Sequence, residues 1–492
     1  MQNGNKKDMT LEQFKEKEDK NNIINEHLNR PILGVAYLFG FLIMGLIVYI
    51  LHFMIVEKDE VIANAANSRL DSFAADVVRG DIVTEDGKTI ATSNDDERYY
   101  PYDNMFAHAV GFSKYTKAGI ELVGNYYLLE SHSNILERFI NTLREDKNQG
   151  DTVVSTLNYD LQKKAYEALG NADGAVIVME PDTGKILAMV SKPDFNPNDI
   201  DAVWEEANSE NYTGSMLLNR ATQGLYPPGS TFKVLTTLAF MRQNPRKFKD
   251  YHYNCANSEQ IFNSVTVHCY GKKTHGEEDL SEALANSCNQ AYADIGTGLD
   301  LGEWKETLES MLYNKNLPYT GASATSRFYL DKDSNSGYVP QTAFGQGDTL
   351  VTPLHNAMII STIANGGLMM KPYMIDSVEN YEGKLVKKFS PSSYDTLMTS
   401  DEVETLTEYM RKVVTQGTAA DYFAGASYQA AGKTGTAEYA DGEHDFSWFI
   451  GFADIEKPEV AVSIVIEESD VNGVKATSVA RTLMDEFYRL KD

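Results

Sequence analysis

The feature that most constrains this chain is a long apolar run near its beginning. Residues 32–56 contain no Asp, Glu, Lys or Arg, and His52 is the one side chain there that can gain a charge near neutral pH. A helix that crosses a bilayer needs about 20 consecutive apolar residues, so this run can span a membrane with some tilt. The sequence therefore predicts a transmembrane helix over residues 31–56.

A cleavable signal peptide is the alternative to a retained anchor, because Ala63-Asn64-Ala65 resembles a cleavage site. However, the apolar run is longer than a usual signal-peptide core, and the 30 residues before it are too many for a signal peptide. We therefore expect the helix to be retained as a single membrane anchor.

Basic residues are distributed unequally around the apolar run. It is preceded by Lys15, Lys17, Lys20 and Arg30, whereas only Lys58 and Arg69 follow it closely. Because cytoplasmic flanks carry the excess of basic residues, residues 1–30 are predicted to be a cytoplasmic tail, with the bulk of the chain outside the cytoplasm. The tail is highly polar, so no regular fold is expected in it.

A short turn in the middle of the chain carries the first sign of chemistry. Tyr226-Pro227-Pro228-Gly229 is a bend that cannot be helical, and the residues from Thr231 onwards are typical of an apolar helix. Ser230 stands at the boundary. Lys233 follows three positions later on the same helical face, so its amine is predicted to reach the Ser230 hydroxyl. The pair is typical of a nucleophile with its own base.

Two later segments strengthen this interpretation. Ser287-Cys288-Asn289 lies in a predicted helix over 280–296, and Lys433-Thr434-Gly435-Thr436 enters a predicted strand. Taken alone, Ser-x-x-Lys is a weak signal, because an N-cap serine followed by a surface lysine produces it too. Ser-x-x-Lys, then Ser-x-Asn, then Lys-Thr-Gly, in this order, is the set found in serine β-lactamases and penicillin-binding proteins.

Composition excludes some classes of function. The chain has 44 basic and 71 acidic residues, and the resulting net charge of −27 repels nucleic acid. No role on DNA or RNA is expected. The nine histidines show no HExxH motif and no clustered ligand spacing, so we predict no metal site and no cofactor.

The cysteines leave two interpretations open. Cys255 and Cys269 flank a polar stretch, 257–263, that is typical of a hairpin. Outside the cytoplasm they can form a disulfide, and equally they can be two small buried thiols. Cys288 is expected to be a packed side chain that faces away from any cleft.

The order of the predicted elements indicates an α+β fold. Strands at both ends of the region after residue 155 flank a helical middle, which implies one sheet built from both ends with helices on its faces. Residues 79–91 form a predicted hairpin around an Asp-Gly turn. The predicted strands are 174–180, 185–191, 433–439, 447–453 and 460–467, and helices are predicted within 151–170 and at 353–366, 400–416 and 477–490.

With the three motifs and the anchor in hand, the chain resembles the class B penicillin-binding proteins, the single-pass D,D-transpeptidases that cross-link peptidoglycan. The resemblance implies a small mixed pedestal domain at 57–154 and a penicillin-binding domain at 155–492, with an antiparallel sheet like that of serine β-lactamases. Further segments resemble this family: Arg79-Gly80 with Asp86-Gly87, Gly174 to Ser191, Asn219-Arg220-Ala221, Gly345-Gln346-Gly347 and Thr352-Pro353-Leu354.

The resemblance also implies roles for the catalytic residues. Ser230 attacks a stem peptide ending in D-Ala-D-Ala and forms an acyl-enzyme, and β-lactams acylate the same serine. An ordinary lysine, with a pKa near 10.4, is a poor base, so Lys233 must be desolvated or lie near another cation such as Lys433. Ser287 is expected to relay the proton to the leaving amine, and Asn289 to bind the substrate's peptide amide.

Substrate binding is expected along the Lys-Thr-Gly strand. The hydroxyls of Thr434 and Thr436 suit the terminal carboxylate of the substrate, and Gly435 leaves room for the substrate backbone. The resemblance further implies an oxyanion hole made by the backbone N–H groups of Ser230 and Thr436.

The chain departs from the family in one respect: only about a hundred residues separate the anchor from the catalytic domain, which is short for the class. We therefore do not assign it to division, elongation or sporulation. No glycosyltransferase-like segment is present, so the expected partner is a polytopic glycan polymerase of the shape, elongation, division and sporulation family. It would be contacted through the membrane helix and the 79–91 hairpin.

Two other functions stay open. A D,D-carboxypeptidase or β-lactamase needs a group that activates water, and no acidic residue can be given that role from the sequence. A non-catalytic β-lactam sensor or scaffold would be acylated and stop there.

Overall fold

A computed structural model describes residues 10–54, 77–94, 97–132, 140–141, 143–144, 146–438, 445–468 and 472–491. The chain divides into two compact units, residues 1–67 and 68–492. The suggested cleavage site at Ala63-Asn64-Ala65, and the basic residues Lys58 and Arg69, lie outside the described residues.

The first unit contains one long helix, α1, from Leu11 to His52. Thr10 and Gln13 form a capping box at its start. Residues 32–52 have a mean hydropathy of 2.4 and are long and apolar enough to cross a membrane. The prediction of an irregular tail is wrong for residues 11–30, which are helical, because a capped run of good helix formers such as Glu, Lys and Gln continues directly into the apolar segment.

The second unit contains the remaining elements of the described chain. Its strands are β1 (Val77–Val78), β2 (Ile82–Val83), β3 (Thr89–Asn94), β4 (Glu97–Tyr99), β5 (Asn148–Gln149), β6 (Thr152–Ser155), β7 (Gly174–Met179), β8 (Ile186–Lys192), β9 (His252–Cys255), β10 (Gln260–Phe262), β11 (Val265–Val267), β12 (Gly276–Asp279), β13 (Leu368–Met370), β14 (Ile375–Glu379), β15 (Leu385–Lys388), β16 (Ser393–Thr396), β17 (Ala430–Glu438), β18 (Asp445–Ala453) and β19 (Val460–Ile466). Its helices are α2 (Ala107–Val110), α3 (Gly119–Val123), α4 (Asn125–Leu129), α5 (Tyr159–Leu169), α6 (Ile200–Ala207), α7 (Arg220–Gln223), α8 (Lys233–Gln243), α9 (Leu280–Ala285), α10 (Asn289–Gly298), α11 (Leu301–Ser310), α12 (Val339–Ala343), α13 (Pro353–Ala364), α14 (Ser400–Thr415), α15 (Ala420–Phe423) and α16 (Ala476–Lys491).

A five-stranded sheet forms the centre of this unit. Its order is β17-β18-β19-β7-β8, and every neighbouring pair is antiparallel. All residues of β7, β8 and β19 are buried, as continuous apolar strands covered on both faces should be. The sheet therefore joins early and late strands, as predicted, and leaves β17 at one edge.

Helices cover this sheet on its faces. Helix α13 is buried along its whole length and packs against β7, β18 and β19, and α16 packs against β18, β19 and α5. Thr352 caps α13 by accepting a hydrogen bond from the His355 N–H, with Pro353 at the first helical position, as predicted.

A six-stranded sheet contains the predicted hairpin of residues 79–91. Its order is β15-β14-β6-β2-β3-β4, so β14, from residues 375–379, pairs with β6, which comes before residue 156. The predicted hairpin is confirmed, with β2 and β3 joined through a turn at Glu85 and Asp86 that is followed by Gly87 with a φ of 81°. The domain boundary between residues 154 and 155 stays a prediction.

The predicted continuous helix over residues 280–296 is wrong. The chain forms α9, breaks at Ser287, and begins again as α10. Ser287 has a φ of 58°, in the left-handed region, which no α-helix can contain in its interior. The break turns the Ser-x-Asn motif out of the helix, towards the site described next.

Candidate active site

The predicted nucleophile lies on a tight turn packed against the edge of the central sheet. Ser230 is half-buried in a short 3₁₀ helix, Gly229–Phe232, that leads directly into α8. Gly229 has a φ of 53°, and a Cβ there would lie 2.7 Å from the Thr436 carbonyl oxygen on β17. The Trp448 indole N–H donates to the Pro227 carbonyl at 3.0 Å. The turn therefore holds Ser230 beside the Lys-Thr-Gly strand.

Lys233 begins α8 and is fully buried. Its ammonium donates to the Ser287 carbonyl at 2.7 Å, to Asn289 Oδ1 at 2.7 Å and to Ser287 Oγ at 3.2 Å. Among the described residues, none of its hydrogen bonds goes to Ser230. Helical spacing places the two residues on one face, but the amine of Lys233 is hydrogen-bonded to the Ser-x-Asn segment.

The Ser-x-Asn segment is held from both sides. The Ser287 N–H donates to the Leu284 carbonyl at 3.2 Å and the Cys288 N–H to the Ala283 carbonyl at 2.9 Å. Cys288 is the N-cap of α10, and Asn289 Nδ2 donates to the His268 carbonyl at 3.0 Å. These bonds hold Ser287 in its left-handed conformation and direct its hydroxyl towards the lysines.

Lys433 approaches the same hydroxyl from β17. It is fully buried, and its ammonium donates to Ser287 Oγ at 3.1 Å and to the Thr434 carbonyl at 2.9 Å. Burial, followed by the charge of Lys233, lowers the pKa of Lys433 well below its usual value. Burial also lowers the pKa of Lys233 to about 8. Two buried amines this close do not readily carry two protons, so they form a coupled pair.

The rest of the Lys-Thr-Gly segment lies on the edge strand. Thr436 is exposed and Thr434 is half-buried, with its hydroxyl 2.5 Å from that of Thr418. A Cβ at Gly435 would lie 2.9 Å from Trp448 Cβ and 3.0 Å from Thr231 Cγ2. The glycine is therefore required by the packing of the serine turn, a reason that the sequence did not reveal.

Thr418 is a site residue that the sequence analysis did not find. It is exposed just after α14, and its N–H donates to the Ala285 carbonyl at 3.1 Å. A Cβ at the preceding Gly417 would lie 2.2 Å from that same carbonyl oxygen, so the segment packs closely against the end of α9. The signal in the sequence was the glycine that follows a predicted helix, which marks a specific backbone position.

The three cysteines meet next to the Ser-x-Asn segment. All three are free and buried, and Cys269 Sγ lies 3.9 Å from Cys255 Sγ and 3.7 Å from Cys288 Sγ. The structure therefore matches the interpretation of Cys255 and Cys269 as buried thiols, and the expectation that Cys288 is a packed side chain is confirmed. One nitrogen or sulfur atom from each of these residues and from His275 lies within 4.8 Å of the others. No spacing pattern in the sequence indicated this group.

The arrangement can support acyl transfer. Ser230 lies three positions before Lys233, on a turn packed against β17, and Lys233 and Lys433 both contact the Ser287 hydroxyl. Among the described residues, no carboxylate is hydrogen-bonded to Ser230, Lys233 or Lys433. The titratable groups that meet at Ser287 Oγ, among the described residues, are the two lysine amines.

Two family models match this chain. The one described as "Penicillin binding protein transpeptidase domain" matches residues 174–485, and the one described as "Penicillin binding protein A dimerisation domain" matches residues 79–153. The first covers the central sheet and all three motifs.

Comparison with individual proteins of known name also finds penicillin-binding transpeptidases. The peptidoglycan D,D-transpeptidase PbpA of Mycobacterium tuberculosis is 30% identical over 427 residues, which cover 79% of this chain and 83% of PbpA. The structure of penicillin-binding protein A from M. tuberculosis as a ceftriaxone acyl-enzyme has a TM-score of 0.74 and 27% identity, covering 85% of this chain and 99% of that one.

A third comparison is with the D,D-transpeptidase domain of a peptidoglycan glycosyltransferase from Eggerthella lenta. That structure has a TM-score of 0.73 and 30% identity, and the match covers 84% of this chain and 98% of the other. The resemblance found in the sequence is therefore confirmed, and the chain belongs to the penicillin-binding protein transpeptidase family of serine acyltransferases.

Proposed function

We propose that Ser230 is the acylated nucleophile of a membrane-anchored D,D-transpeptidase that cross-links peptidoglycan stem peptides. The observation that carries this proposal is the meeting of two fully buried lysine amines at one serine hydroxyl, Ser287 Oγ, at 3.2 and 3.1 Å. A buried amine pair beside a nucleophile turn provides a base at neutral pH without a histidine or a carboxylate.

The first step transfers the donor peptide to Ser230. Ser230 Oγ bonds to the carbonyl carbon of the penultimate D-Ala, and its proton passes to the neutral amine of Lys233. The C–N bond to the terminal D-Ala then breaks, and Ser287 passes a proton from the lysine pair to the leaving amine. Backbone N–H groups of Ser230 and Thr436 stabilise the negative charge on the carbonyl oxygen.

Substrate binding itself favours the reactive protonation state. The terminal carboxylate of the donor binds to the hydroxyls of Thr434 and Thr436, near Lys433. A nearby negative charge raises the pKa of Lys433, and the resulting positive charge lowers that of Lys233. The two amines then hold one additional proton between them, and it resides on Lys433. Lys233 is therefore neutral and acts as the base. Asn289 accepts from Lys233 through Oδ1 and donates one Nδ2–H to the His268 carbonyl, so its second Nδ2–H is the group that binds the substrate.

The second step distinguishes a transpeptidase from the alternatives. An acceptor amine attacks the Ser230 ester, and its nitrogen bonds to the acyl carbon and gives a proton to the neutral amine of Lys233. The bond between the acyl carbon and Ser230 Oγ then breaks, and Ser230 Oγ takes a proton back from the lysine pair. A carboxypeptidase or β-lactamase requires water at this point. The absence of a carboxylate hydrogen bond to Ser230 or either lysine, in the described part of the site, favours the amine acceptor.

Peptide turnover tests this proposal. Full-length protein in detergent is given a stem peptide ending in D-Ala-D-Ala and an acceptor with a free amine, and D-Ala and cross-linked product are both quantified. We expect one cross-link for most of the D-Ala released, and neither product from Ser230→Ala. Release of D-Ala without cross-linked product would identify a carboxypeptidase, and stable acylation by penicillin without peptide turnover would identify a sensor.

We further propose that α1 is a single-pass anchor whose N-terminus is cytoplasmic and that it contacts a polytopic glycan polymerase of the shape, elongation, division and sporulation family. Gly34 and Gly45 are eleven positions apart, which places them on nearly the same helical face. A Cβ at either glycine would meet nothing within 4 Å. Small residues on one face allow a second helix to approach closely.

A further inference from the structure

The three thiols and His275 form a group with the dimensions of a metal centre. The two measured sulfur–sulfur distances are 3.9 Å and 3.7 Å, and all four ligand atoms lie within 4.8 Å of one another. A tetrahedral zinc ion with Zn–S bonds of about 2.3 Å separates its sulfurs by about 3.8 Å. Two of the three sulfur pairs therefore already lie at about the distance that such an ion requires.

The segment that supplies three of these residues has little else to hold it together. Residues 252–279 form two small hairpin-like sheets, β9 with β12 and β10 with β11. The buried side chains in this segment are those of Cys255, Val267, Cys269 and Glu278. Ile261 and Tyr270 are 66% and 73% exposed. A segment of this size with so small an apolar core is typically stabilised by a disulfide or a metal ion.

The residues around this group can hold its ligands in place and orient them. Glu278 is 2% exposed, and its Oε1 accepts a hydrogen bond from Asn286 Nδ2 at 2.7 Å. Its Oε2 lies 3.9 Å from His275 Nδ1, and both atoms are buried without a hydrogen-bond partner among the described residues. A carboxylate beside the ring of a metal-binding histidine is the usual way in which that ring is oriented. The Ala291 N–H donates to Cys288 Sγ at 3.5 Å.

We propose that Cys255, Cys269, Cys288 and His275 bind one zinc ion in a closed, four-coordinate structural site. Three thiolates and one imidazole are a ligand set that selects zinc. Binding forms three Zn–S bonds and one Zn–N bond and releases the three thiol protons to solvent. The site accounts for all three cysteines of the chain, whereas a disulfide would leave one of them unpaired.

Cys288 belongs to the Ser-x-Asn motif, so metal binding at Cys288 can affect catalysis. This step rests on the proposed function. Cys288 lies between Ser287 and Asn289, both of which are hydrogen-bonded to Lys233. Ser287 has a φ of 58°, a conformation that persists only when its surroundings hold it in place. A metal bond to the next residue fixes the chain there, so the zinc site acts as a positioning element for the Ser-x-Asn motif.

Metal binding by the wild-type protein is the first test, and it requires no variant. Full-length protein in detergent, treated with a reductant and a chelator and then dialysed, is titrated with Co²⁺ and separately with Zn²⁺. We expect one equivalent of either metal per chain, thiolate-to-cobalt charge-transfer absorption, and ligand-field bands of a tetrahedral complex. Absence of metal binding by the reduced protein, or an octahedral spectrum, would overturn the proposal. A Cys255–Cys269 disulfide in metal-free protein isolated from its envelope would overturn it too.

Matched variants locate the ion. His275→Ala should abolish the tetrahedral cobalt spectrum, and His252→Ala, which removes an exposed histidine from β9, should leave it unchanged. Glu278→Gln, on β12, should weaken the affinity for cobalt at least about tenfold. Glu277→Gln, at an exposed position of β12, should leave that affinity unchanged. Equal spectra and affinities in all four variants would place the metal elsewhere and contradict the proposal.

The positioning role has its own readout. Removing zinc should lower the rate constant for penicillin acylation of Ser230 by at least about tenfold, and adding back one equivalent of zinc should restore it. If zinc binds as described but its removal leaves acylation unchanged, the site is structural only and the positioning role is wrong. Because metal binding is measured without substrate, failure of the transpeptidase proposal would leave that measurement intact.

Discussion

At the scale of single residues, the site depends on how two buried amines are placed. Lys233 and Lys433 lie on different elements, α8 and β17, and both donate to Ser287 Oγ. Burial lowers the pKa of each amine, which is the condition for a lysine to act as a base near neutral pH. In the proposed mechanism, Ser287, which both lysines contact, passes a proton from this pair to the leaving amine.

Replacement of Lys233 tests its role as the base. Lys233→Met keeps an unbranched side chain of nearly the same length and adds no charge, so the fold should remain, while penicillin acylation should fall about 10²- to 10⁴-fold. Stopped-flow or gel-based acylation rates measure this change, and Lys273→Met, at an exposed position, is the control that should retain the wild-type rate. A near wild-type rate for Lys233→Met would mean that another group is the base.

Replacement of Asn289 should affect the two acyl donors, stem peptide and penicillin, to different extents. Its Oδ1 accepts from Lys233 at 2.7 Å, and its Nδ2 donates to the His268 carbonyl at 3.0 Å. Because it is proposed to bind the peptide amide of the substrate, Asn289→Ala should lower turnover of the stem peptide more than acylation by penicillin. Parallel measurement of both rates checks this, and an equal loss of both would remove the peptide-binding role.

At the scale of elements, the serine turn and the edge strand β17 are fitted to each other. Gly435 faces Thr231 and Trp448 at distances that leave no room for a Cβ, and Gly229 meets the Thr436 carbonyl in the same way. Ser230 is therefore positioned by close packing between a turn and a strand, two elements about 200 residues apart in sequence.

Adding one methyl group to the strand should disturb this fit. Gly435→Ala should lower the free energy of unfolding by about 1–3 kcal/mol and slow penicillin acylation as well, because the turn must move away from β17. Gly298→Ala is the control, since a Cβ there meets nothing within 4 Å. Thermal unfolding and acylation rates measured together check the prediction, and unchanged values for Gly435→Ala would show that the turn adapts without cost.

The same scale shows what the sequence could and could not reveal. The three motifs, the strands of the central sheet and α13 were predictable, because each depends on local patterns of apolar residues, caps and turns. The break at Ser287 was not, because a serine with a positive φ is imposed by its neighbours. The thiol–histidine group was also not predictable: its members follow one another at intervals of 14, 6 and 13 positions, and only folding of residues 252–288 brings them together.

At the scale of the whole second unit, a buried ion network supports the region before residue 156. The Glu121 side chain is fully buried and accepts from Arg79 Nε and Arg98 Nε, both at 2.6 Å. Burial raises the pKa of Glu121, but the two arginines outweigh it, and the net pKa lies below its usual value. Arg79, part of the motif that the sequence linked to a pedestal, is thus a structural residue here.

Removal of this charge should destabilise the protein in a pH-dependent way. Glu121→Gln should lower the free energy of unfolding by about 3 kcal/mol at pH 7, because two buried arginines lose their partner. Since the folded-state pKa is depressed, the stabilisation by Glu121 is present above pH 4.5 and is lost as the pH falls below it. Urea titrations should therefore show a smaller difference in the free energy of unfolding between wild type and Glu121→Gln at pH 4 than at pH 7. The exposed Glu97→Gln is the control. A difference that grows in acid would contradict this account.

The proposed contact between the membrane anchor and a partner protein can be tested on the full-length chain. Exchange of residues 31–56 for an unrelated membrane span should keep penicillin binding but lose co-purification with a glycan polymerase, if the contact with that partner runs through α1. Unchanged complex formation by this chimera, and by one in which residues 79–91 are also replaced, would exclude both surfaces.

The central claim is that Ser230 is the acylated residue, and one measurement tests it most directly. Full-length protein is labelled with penicillin, digested, and mapped by mass spectrometry, with Ser230→Ala treated in parallel. We expect a single penicilloyl adduct on the peptide that contains Ser230, because the strained β-lactam amide presents its carbonyl to that hydroxyl and its carboxylate to Thr434 and Thr436. An adduct on any other residue, or none in folded protein, would contradict the account.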